Sequence, residues 1–187
     1  DIYPDYVDVT IPAQIAPLRF MLRHAPEEAM VSISAGEEKL VCEASGKKGF
    51  LMDEGQWNDL LEAAVGKELE VKVYEKVDGN WQMYLPFHWT VSSDAMDPYL
   101  VYRLIEPGYE TWNQMGIYQR CLADYEQTAV ISNQLTSHNC INCHNFPNQD
   151  PTQMVLHMRG QRGGTYLFQS GDITKLNGKV SDKIPSL

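Results

Sequence analysis

The pentapeptide Cys140-Ile141-Asn142-Cys143-His144 limits what this chain can become more than any other stretch of its sequence. Two cysteines separated by two residues and followed directly by a histidine form the attachment signature of c-type haem. The spacing lets both sulfurs reach one edge of the macrocycle, and the adjacent imidazole is then held under the iron as its proximal ligand. The sequence therefore predicts a covalent haem site, with thioether bonds at Cys140 and Cys143 and an iron ligand at His144.

A second axial ligand has to come from outside this motif. The residues with suitable side chains are His157, Met158, Met154, His138 and His88, and we favour His157 as the distal ligand. Met154 and Met158 would lie on the opposite strand face from His157, so they are alternatives to it and not partners. A pair of histidines favours a lower reduction potential than histidine with methionine, whereas an empty sixth position would let small ligands bind the iron.

Three other interpretations use the same residues. Cys140 and Cys143 can form a disulfide or a redox-active pair, in which His144 lowers the pKa of a thiol. Cys140, Cys143 and His157 also resemble part of a structural zinc site, whose fourth ligand would be His138 or His144. In the third interpretation the chain is a scaffold or binding module for a partner protein or a glycan, a role that is compatible with haem.

Two further cysteines lie far from the motif. Cys42 and Cys121 are in apolar, strand-like runs, where a free and buried thiol is the expected state. Sequence does not report the distance between two cysteines, so it does not decide whether a disulfide joins them.

The first half of the chain predicts a β-sandwich-like, immunoglobulin-like module over residues 1–92. Short runs of alternating apolar residues, separated by turn signals, indicate strands at 7–11, 17–22, 30–34 and 39–44. One short helix interrupts them, with Asp53 as N-cap, Gln56 as its capping-box partner and Gly66 as the stop. Its apolar stripe, typical of core packing, is Trp57, Leu60, Leu61 and Ala64. A hairpin with an Asp78-Gly79 turn follows, and residues 81–91 form its returning strand.

The second half, residues 93–187, predicts antiparallel strands that resemble the blades of a β-propeller. Strands are expected at 99–105, 116–122 and 128–132, and a hairpin at 154–169 bends at Arg162-Gly163-Gly164. The polar segment 133–139 reads as a loop, which predicts that the cysteine motif lies in a connection between sheet elements. The fold class expected for the whole chain is therefore mostly β with one short helix.

Composition excludes several classes of protein. The 187 residues suffice for one ordinary domain or two small ones, and a net charge of −10 argues against a broad nucleic-acid-binding surface. No apolar run approaches the roughly 18 residues of a membrane helix. Since the chain begins at Asp1 without an initiator methionine, we expect it to be a processed or trimmed piece, which would not include any signal or anchor sequence. No hydrolytic arrangement with useful spacing is present, so turnover of a substrate is not the expected role.

Several longer stretches resemble a family of exported, Bacteroidetes-type lipoproteins described as TolB-like or cytochrome c-related. The stretches that carry the resemblance are Leu85–Val91, Asp97–Tyr109, Gly116–Arg120, Cys140–His144 and His157–Gly160. The resemblance covers most of residues 5–177 and identifies this chain with the N-terminal part of such proteins. Relatives would continue beyond Leu187 into further propeller blades.

The resemblance implies a location and a set of partners. It implies export to the cell envelope, as a periplasmic or outer-membrane lipoprotein with a lipid anchor upstream of Asp1. It also implies a TolB-like β-propeller that includes or follows the later strands. Joined to the cysteine motif, it predicts electron transfer or haem-based sensing, with a redox protein or another envelope protein as partner.

Overall fold

The predicted mostly-β fold with one α-helix is confirmed by the computed structural model, which describes residues 1–44, 46–105, 107–108 and 114–176. The chain divides into two compact units. The first unit contains residues 1–98 and 121–125, and the second contains the described residues of 99–120 and from 126 onward. Residues 177–187, which the second predicted domain included, lie outside the described residues.

The described residues of the first unit form eight β-strands and the helix. The strands are β1 (Ile2–Tyr3), β2 (Val9–Pro12), β3 (Met21–Leu22), β4 (Glu28–Ala35), β5 (Glu38–Glu43), β6 (Glu68–Val77), β7 (Asn80–Met83) and β8 (Phe87–Ser92). Helix α1 spans Glu54–Ala63, and a 3-10 turn spans Gly46–Lys48. β1 pairs with β3, and the other strands form one sheet in the order β2-β8-β6-β4-β5, with β7 paired to β6.

Alternating side chains decide which face of this large sheet is buried. Along β8, Phe87, Trp89 and Val91 are buried, while His88 and Thr90 between them are exposed. The apolar residues of β6 at 69, 71 and 73 alternate in the same way, as a strand with one covered face requires. Helix α1 adds its buried residues Trp57, Leu60 and Leu61 to the same core.

The helix begins where its sequence predicts. The Asp53 side chain accepts a hydrogen bond of 2.9 Å from the backbone N–H of Gln56, which confirms Asp53 as the N-cap. The helix ends at Ala63, with Ala64 as C-cap. Gly66 follows at φ +72°, and its N–H donates to the Val91 carbonyl at 2.9 Å. Gly66 therefore lies in the turn that leads from the helix into β6, and its N–H is bonded to β8.

Replacement of Asp53 by alanine should lower the free energy of unfolding of the first unit by about 1 kcal/mol, because the N–H of Gln56 loses its acceptor. The matched control is Asp59→Ala, which removes the same group from an exposed position inside the helix. Alanine there has a higher helix propensity than aspartate, so the control should not destabilise. Urea unfolding followed by far-UV circular dichroism compares the two variants, and equal losses would contradict the capping role.

The predicted hairpin is present, and its return is divided in two. Asp78 and Gly79 take positive φ values of 50° and 77°, as the tight two-residue turn needs. The returning segment was predicted as one strand over residues 81–91, but β7 ends at Met83 and β8 begins at Phe87. Both strands pair with β6, so the break between them only interrupts one ladder.

The described residues of the second unit form two antiparallel sheets. The three-stranded sheet has the order β11-β10-β9 and contains β9 (Tyr99–Ile105), β10 (Met115–Cys121) and β11 (Gln127–Ser132). The four-stranded sheet runs in sequence order through β12 (Cys140–Asn145), β13 (Gln153–Arg159), β14 (Gly164–Gln169) and β15 (Asp172–Leu176). This meander of four strands is the kind of unit that a propeller blade repeats. Short 3-10 turns span Asn133–Thr136 and Pro147–Gln149.

In the described ranges, no helix is long and apolar enough to cross a bilayer.

Candidate functional site

The cysteine motif forms strand β12, an edge strand of the four-stranded sheet. The prediction that it lies in a connection between sheet elements was therefore wrong. The reason is the pairing of Ile141 with Met158 on β13, which places both side chains in the core of the second unit at 0% and 6% exposure. A single apolar residue inside a polar stretch thus holds the motif in the sheet.

An irregularity interrupts the strand inside the motif. Asn142 lies opposite His157 and Asn145 opposite Val155, so three steps along β12 match two steps along β13. The additional residue makes a β-bulge, and Cys143 within it takes a φ of 51°. Cys143 consequently leaves the regular alternation of the strand, and its side chain is exposed. Cys140 precedes the bulge and is half-buried against the core.

The His144 ring is half-buried beside strand β9. Its Nε2 atom lies 3.4 Å from the carbonyl oxygen of Val101, which is long for a hydrogen bond. The ring centroid of Phe146 is 6.3 Å away in an edge-on arrangement of 77°. These weak contacts orient the imidazole without committing its nitrogens to a strong partner.

Arg103 touches the motif, and sequence reasoning did not single it out. Its Nη1 donates to the Asn142 side-chain oxygen at 2.7 Å. The two residues are 39 positions apart, so no local pattern could report the contact. The guanidinium adds a positive charge next to a chain segment, 127–149, that contains no Asp, Glu, Lys or Arg.

The polar segment before the motif is a folded corner with buried amides. Asn133 is fully buried, and its side-chain oxygen accepts from the Met115 N–H at 3.3 Å. Asn139 is 5% exposed, and its side-chain amide donates to the Thr136 carbonyl at 2.6 Å. Because buried polar groups need partners, these bonds determine where the chain enters β12. The sequence signal was the clustering of asparagine and threonine, which also describes an ordinary loop.

Gly160 lies against the Asn139 side chain, and alanine at this position should destabilise the second unit. The residue has a φ of +106°, and an added Cβ would lie 2.2 Å from Oδ1 of Asn139. We expect Gly160→Ala to cost about 1–3 kcal/mol. Gly171→Ala is the matched control, because Gly171 has a φ of +88° with nothing within 4 Å of the added carbon. Comparing the two by chemical unfolding separates the clash from the backbone strain, and equal costs would contradict the clash.

The expected distal ligands are not gathered around His144. Met154 and Met158 are 5% and 6% exposed in the core of the second unit, so their sulfurs already serve as packing. His157 lies on β13 opposite Asn142, and its Nδ1 is 3.1 Å from the Thr165 hydroxyl. His138 sits in the corner at φ 58°, where its N–H donates to the Asn133 carbonyl. His88 belongs to strand β8 of the first unit.

The paired strands also limit what His157 can do. Axial ligands bind an iron from opposite sides of a flat ring. His144 and His157 lie on neighbouring strands, about 4.8 Å apart, whose pairing runs through Cys140–Arg159, Ile141–Met158 and Asn142–His157. The His144 ring lies by the Val101 carbonyl and the His157 ring by the Thr165 hydroxyl, so His157 as the distal ligand stays a prediction.

Among the residues that the structure describes, no group of three or more His, Cys, Asp or Glu side chains is placed to hold a metal ion. The four cysteines, Cys42, Cys121, Cys140 and Cys143, are free thiols. Zinc and the Cys140–Cys143 disulfide stay predictions.

The motif has the side chains, and the exposure of those side chains, that covalent attachment of haem needs. An exposed thiol, a half-buried thiol and a half-buried imidazole follow one another on an edge strand. The segment has to contract for both sulfurs to reach one edge of a macrocycle, and the bulge at Cys143 already shortens it. Since β12 has a partner on one side only, contraction sacrifices a single ladder of hydrogen bonds.

No likeness to known proteins supplements this geometry: scans of family models, curated proteins and solved structures returned no match.

Proposed function

We propose that the second unit carries one covalently attached c-type haem, bound through Cys140, Cys143 and His144, and serves in electron transfer or haem-based sensing. The observation that carries the proposal is that these three side chains lie close together on one irregular edge strand. Their spacing is that of haem attachment, and the exposed Cys143 is the most accessible of the three. A bound haem would supply one-electron redox chemistry and an iron site for small ligands.

Each residue of the motif has a distinct task in this proposal. The thiols of Cys140 and Cys143 would hold the ring through bonds to its vinyl groups. The His144 imidazole would hold the iron; its 3.4 Å contact with the Val101 carbonyl is long, so its loss would cost little. Ile141 lies in the core and would anchor the segment.

The sixth position favours sensing over simple electron transfer. Met154 and Met158 are part of the core, and His157 is held in the neighbouring strand. An iron held by His144 would therefore keep a place for a small molecule. An open position is what a ligand-sensing haem needs.

The proposed setting is the cell envelope. It rests on the resemblance to exported TolB-like, cytochrome c-related lipoproteins. A lipid anchor upstream of Asp1 would hold the protein in the periplasm or at the outer membrane. Its partner there would be a redox protein or another envelope protein.

The deciding experiment is expression with export in a host that has cytochrome c maturation machinery. We expect a Soret band that survives acid–acetone extraction and a mass increase of one haem per chain. An unmodified mass together with an absent Soret band would overturn the proposal. If that protein instead contains stoichiometric zinc, the structural zinc site replaces it.

A non-haem scaffold is the second candidate, and strand β15 favours it. All five residues of this edge strand are exposed, including Ile173 at 63%. An exposed edge with apolar side chains can accept a further strand from a partner. Serine at both Cys140 and Cys143 without an effect on envelope function would favour this scaffold role.

A further inference from the structure

Strand β7 (Asn80–Met83) forms an unprotected edge in the sheet of the first unit. It pairs with β6 on one side, and among the described residues no strand pairs with its other side. Edge strands are commonly protected from further pairing by charged residues or proline. The edge strand β5 at the far end of the same sheet carries Glu38, Lys39 and Glu43, whereas β7 reads Asn-Trp-Gln-Met. β7 therefore lacks the protection that β5 has.

The backbone groups on the open side of β7 belong to Trp81 and Met83. The N–H of Tyr84 donates to the Val73 carbonyl on β6 at 2.9 Å. Backbone groups of successive residues point to opposite sides of a strand, so Gln82 also faces β6, while Trp81 and Met83 face away from it. Within the described ranges, no hydrogen bond joins either of these two N–H groups to another element. The open side thus presents donors and acceptors at two alternate positions.

The side chains of Trp81 and Met83 form an apolar surface on one face of the sheet. Trp81 lies opposite Lys76 of β6, and Met83 lies opposite Tyr74. This face is turned away from the core, because Lys76 and Tyr74 alternate along β6 with buried residues such as Val73. Trp81 is 47% exposed and Met83 is 52% exposed. The strand edge therefore combines free backbone groups with large apolar side chains.

The charges near this edge permit an identical strand beside it. Residues 79–93 contain no Asp, Glu, Lys or Arg, although the chain has a net charge of −10. Lys76 is paired with Glu28 at 2.6 Å and also interacts with Glu27. Asp78 lies in the hairpin turn, outside the strand itself. Two copies of β7 can therefore meet without placing like charges opposite each other.

We propose that β7 of a second copy of this chain occupies the edge, so that the protein forms a dimer with two-fold symmetry. The two strands run antiparallel, and the symmetry axis passes beside Gln82. In this register Trp81 of each copy lies opposite Met83 of the other, so outward N–H groups meet outward carbonyls. The indole of one copy then contacts the thioether sulfur of the other, a favourable pairing.

The strand is complementary to itself in both backbone and side chains. A two-fold interface brings the same patch of both copies together, and the free groups of β7 lie at the positions that pair with each other. The edge is in the first unit, so the dimer does not rest on the haem proposal.

Sedimentation velocity of the full chain tests the dimer over protein concentrations from about 5 µM to about 1 mM. We expect a monomer at the lower concentration and chiefly dimer at the higher one. The Kd should be on the order of 100 µM, because so short a pairing makes a small interface. A chain that is still a monomer at about 1 mM would rule the dimer out.

Amide hydrogen exchange by NMR locates the interface. The amide protons of Trp81 and Met83 should exchange at least about twofold more slowly at high protein concentration than at low concentration, because pairing gives them acceptors. The amide proton of Val41, on the edge strand β5, is the control and should exchange at the same rate at both. Dimer formation without slower exchange at Trp81 and Met83 would refute the β7 interface.

Two matched variants complete the test. Trp81→Lys puts a charged side chain on the edge and should weaken dimerisation by at least about tenfold. Val41→Lys makes the same change in charge at a residue that is 51% exposed on β5, and it should leave the Kd unchanged. Both positions are exposed, so both variants should fold, which far-UV circular dichroism checks. Equal dimerisation of the two variants would contradict the proposal.

Discussion

Serine at both Cys140 and Cys143 should abolish covalent haem in protein exported by a host with cytochrome c maturation. The expected change is from one haem per chain to none, because a hydroxyl does not form the thioether bond that a thiol forms. The fold should survive the change. Cys143 is exposed and Cys140 is half-buried, so neither serine has to occupy a closed apolar site. Intact-protein mass and pyridine haemochrome absorption measure the result.

Matched variants make this result specific to the motif. Cys42→Ser and Cys121→Ser replace the other two cysteines, which lie in the first unit, and should retain the full haem content. His144→Ala should keep the thioether bonds and alter the spectrum, because only the proximal ligand is lost. A double-serine variant that still carries haem would show that attachment does not use this motif.

Trp89→Ala should produce the largest loss of stability in the first unit. The indole is fully buried on β8, within 6.0 Å centroid distance of the rings of Phe20, Trp57 and Phe87. Its Nε1 donates to the Tyr6 carbonyl at 2.6 Å. The substitution leaves a cavity and an unpaired carbonyl, which together should cost about 3–5 kcal/mol.

Trp81→Ala is the control on the same sheet. Trp81 lies on β7 and is 47% exposed, so its loss should change the free energy of unfolding by no more than about 0.5 kcal/mol. Urea unfolding monitored by far-UV circular dichroism avoids the change in fluorescence that any tryptophan variant brings. Similar costs for the two variants would contradict the assignment of the core to the Trp89 face.

Local patterns in the sequence predicted most of the secondary structure. The cap at Asp53, the helix that follows it and the Asp78-Gly79 turn are confirmed. These features depend on residues within about four positions of each other, so the sequence contains all the information they need. Strand β15 was not predicted. Its five residues are all exposed, so burial does not alternate along it. It is a strand only because it pairs with β14.

The candidate site shows where local reasoning ends. The polar segment before the motif, residues 133–139, has the composition of a loop, yet Asn133 and Asn139 are buried in the structure. Strand β12 forms because Ile141 reaches a core built from β10 and β13, and Arg103 arrives from 39 positions away. Sequence neighbours do not encode such contacts, since they depend on which strands pair.

The chemistry of the motif and its accessibility therefore come from different levels of the molecule. The sequence by itself determined that two thiols and an imidazole stand at the spacing of haem attachment, because that spacing is covalent. Only the tertiary structure decided that they lie on an edge strand with a bulge at Cys143, and that Met154 and Met158 are buried. Burial and strand pairing are properties of the folded chain, and they separate side chains that sequence reasoning treated as equally available.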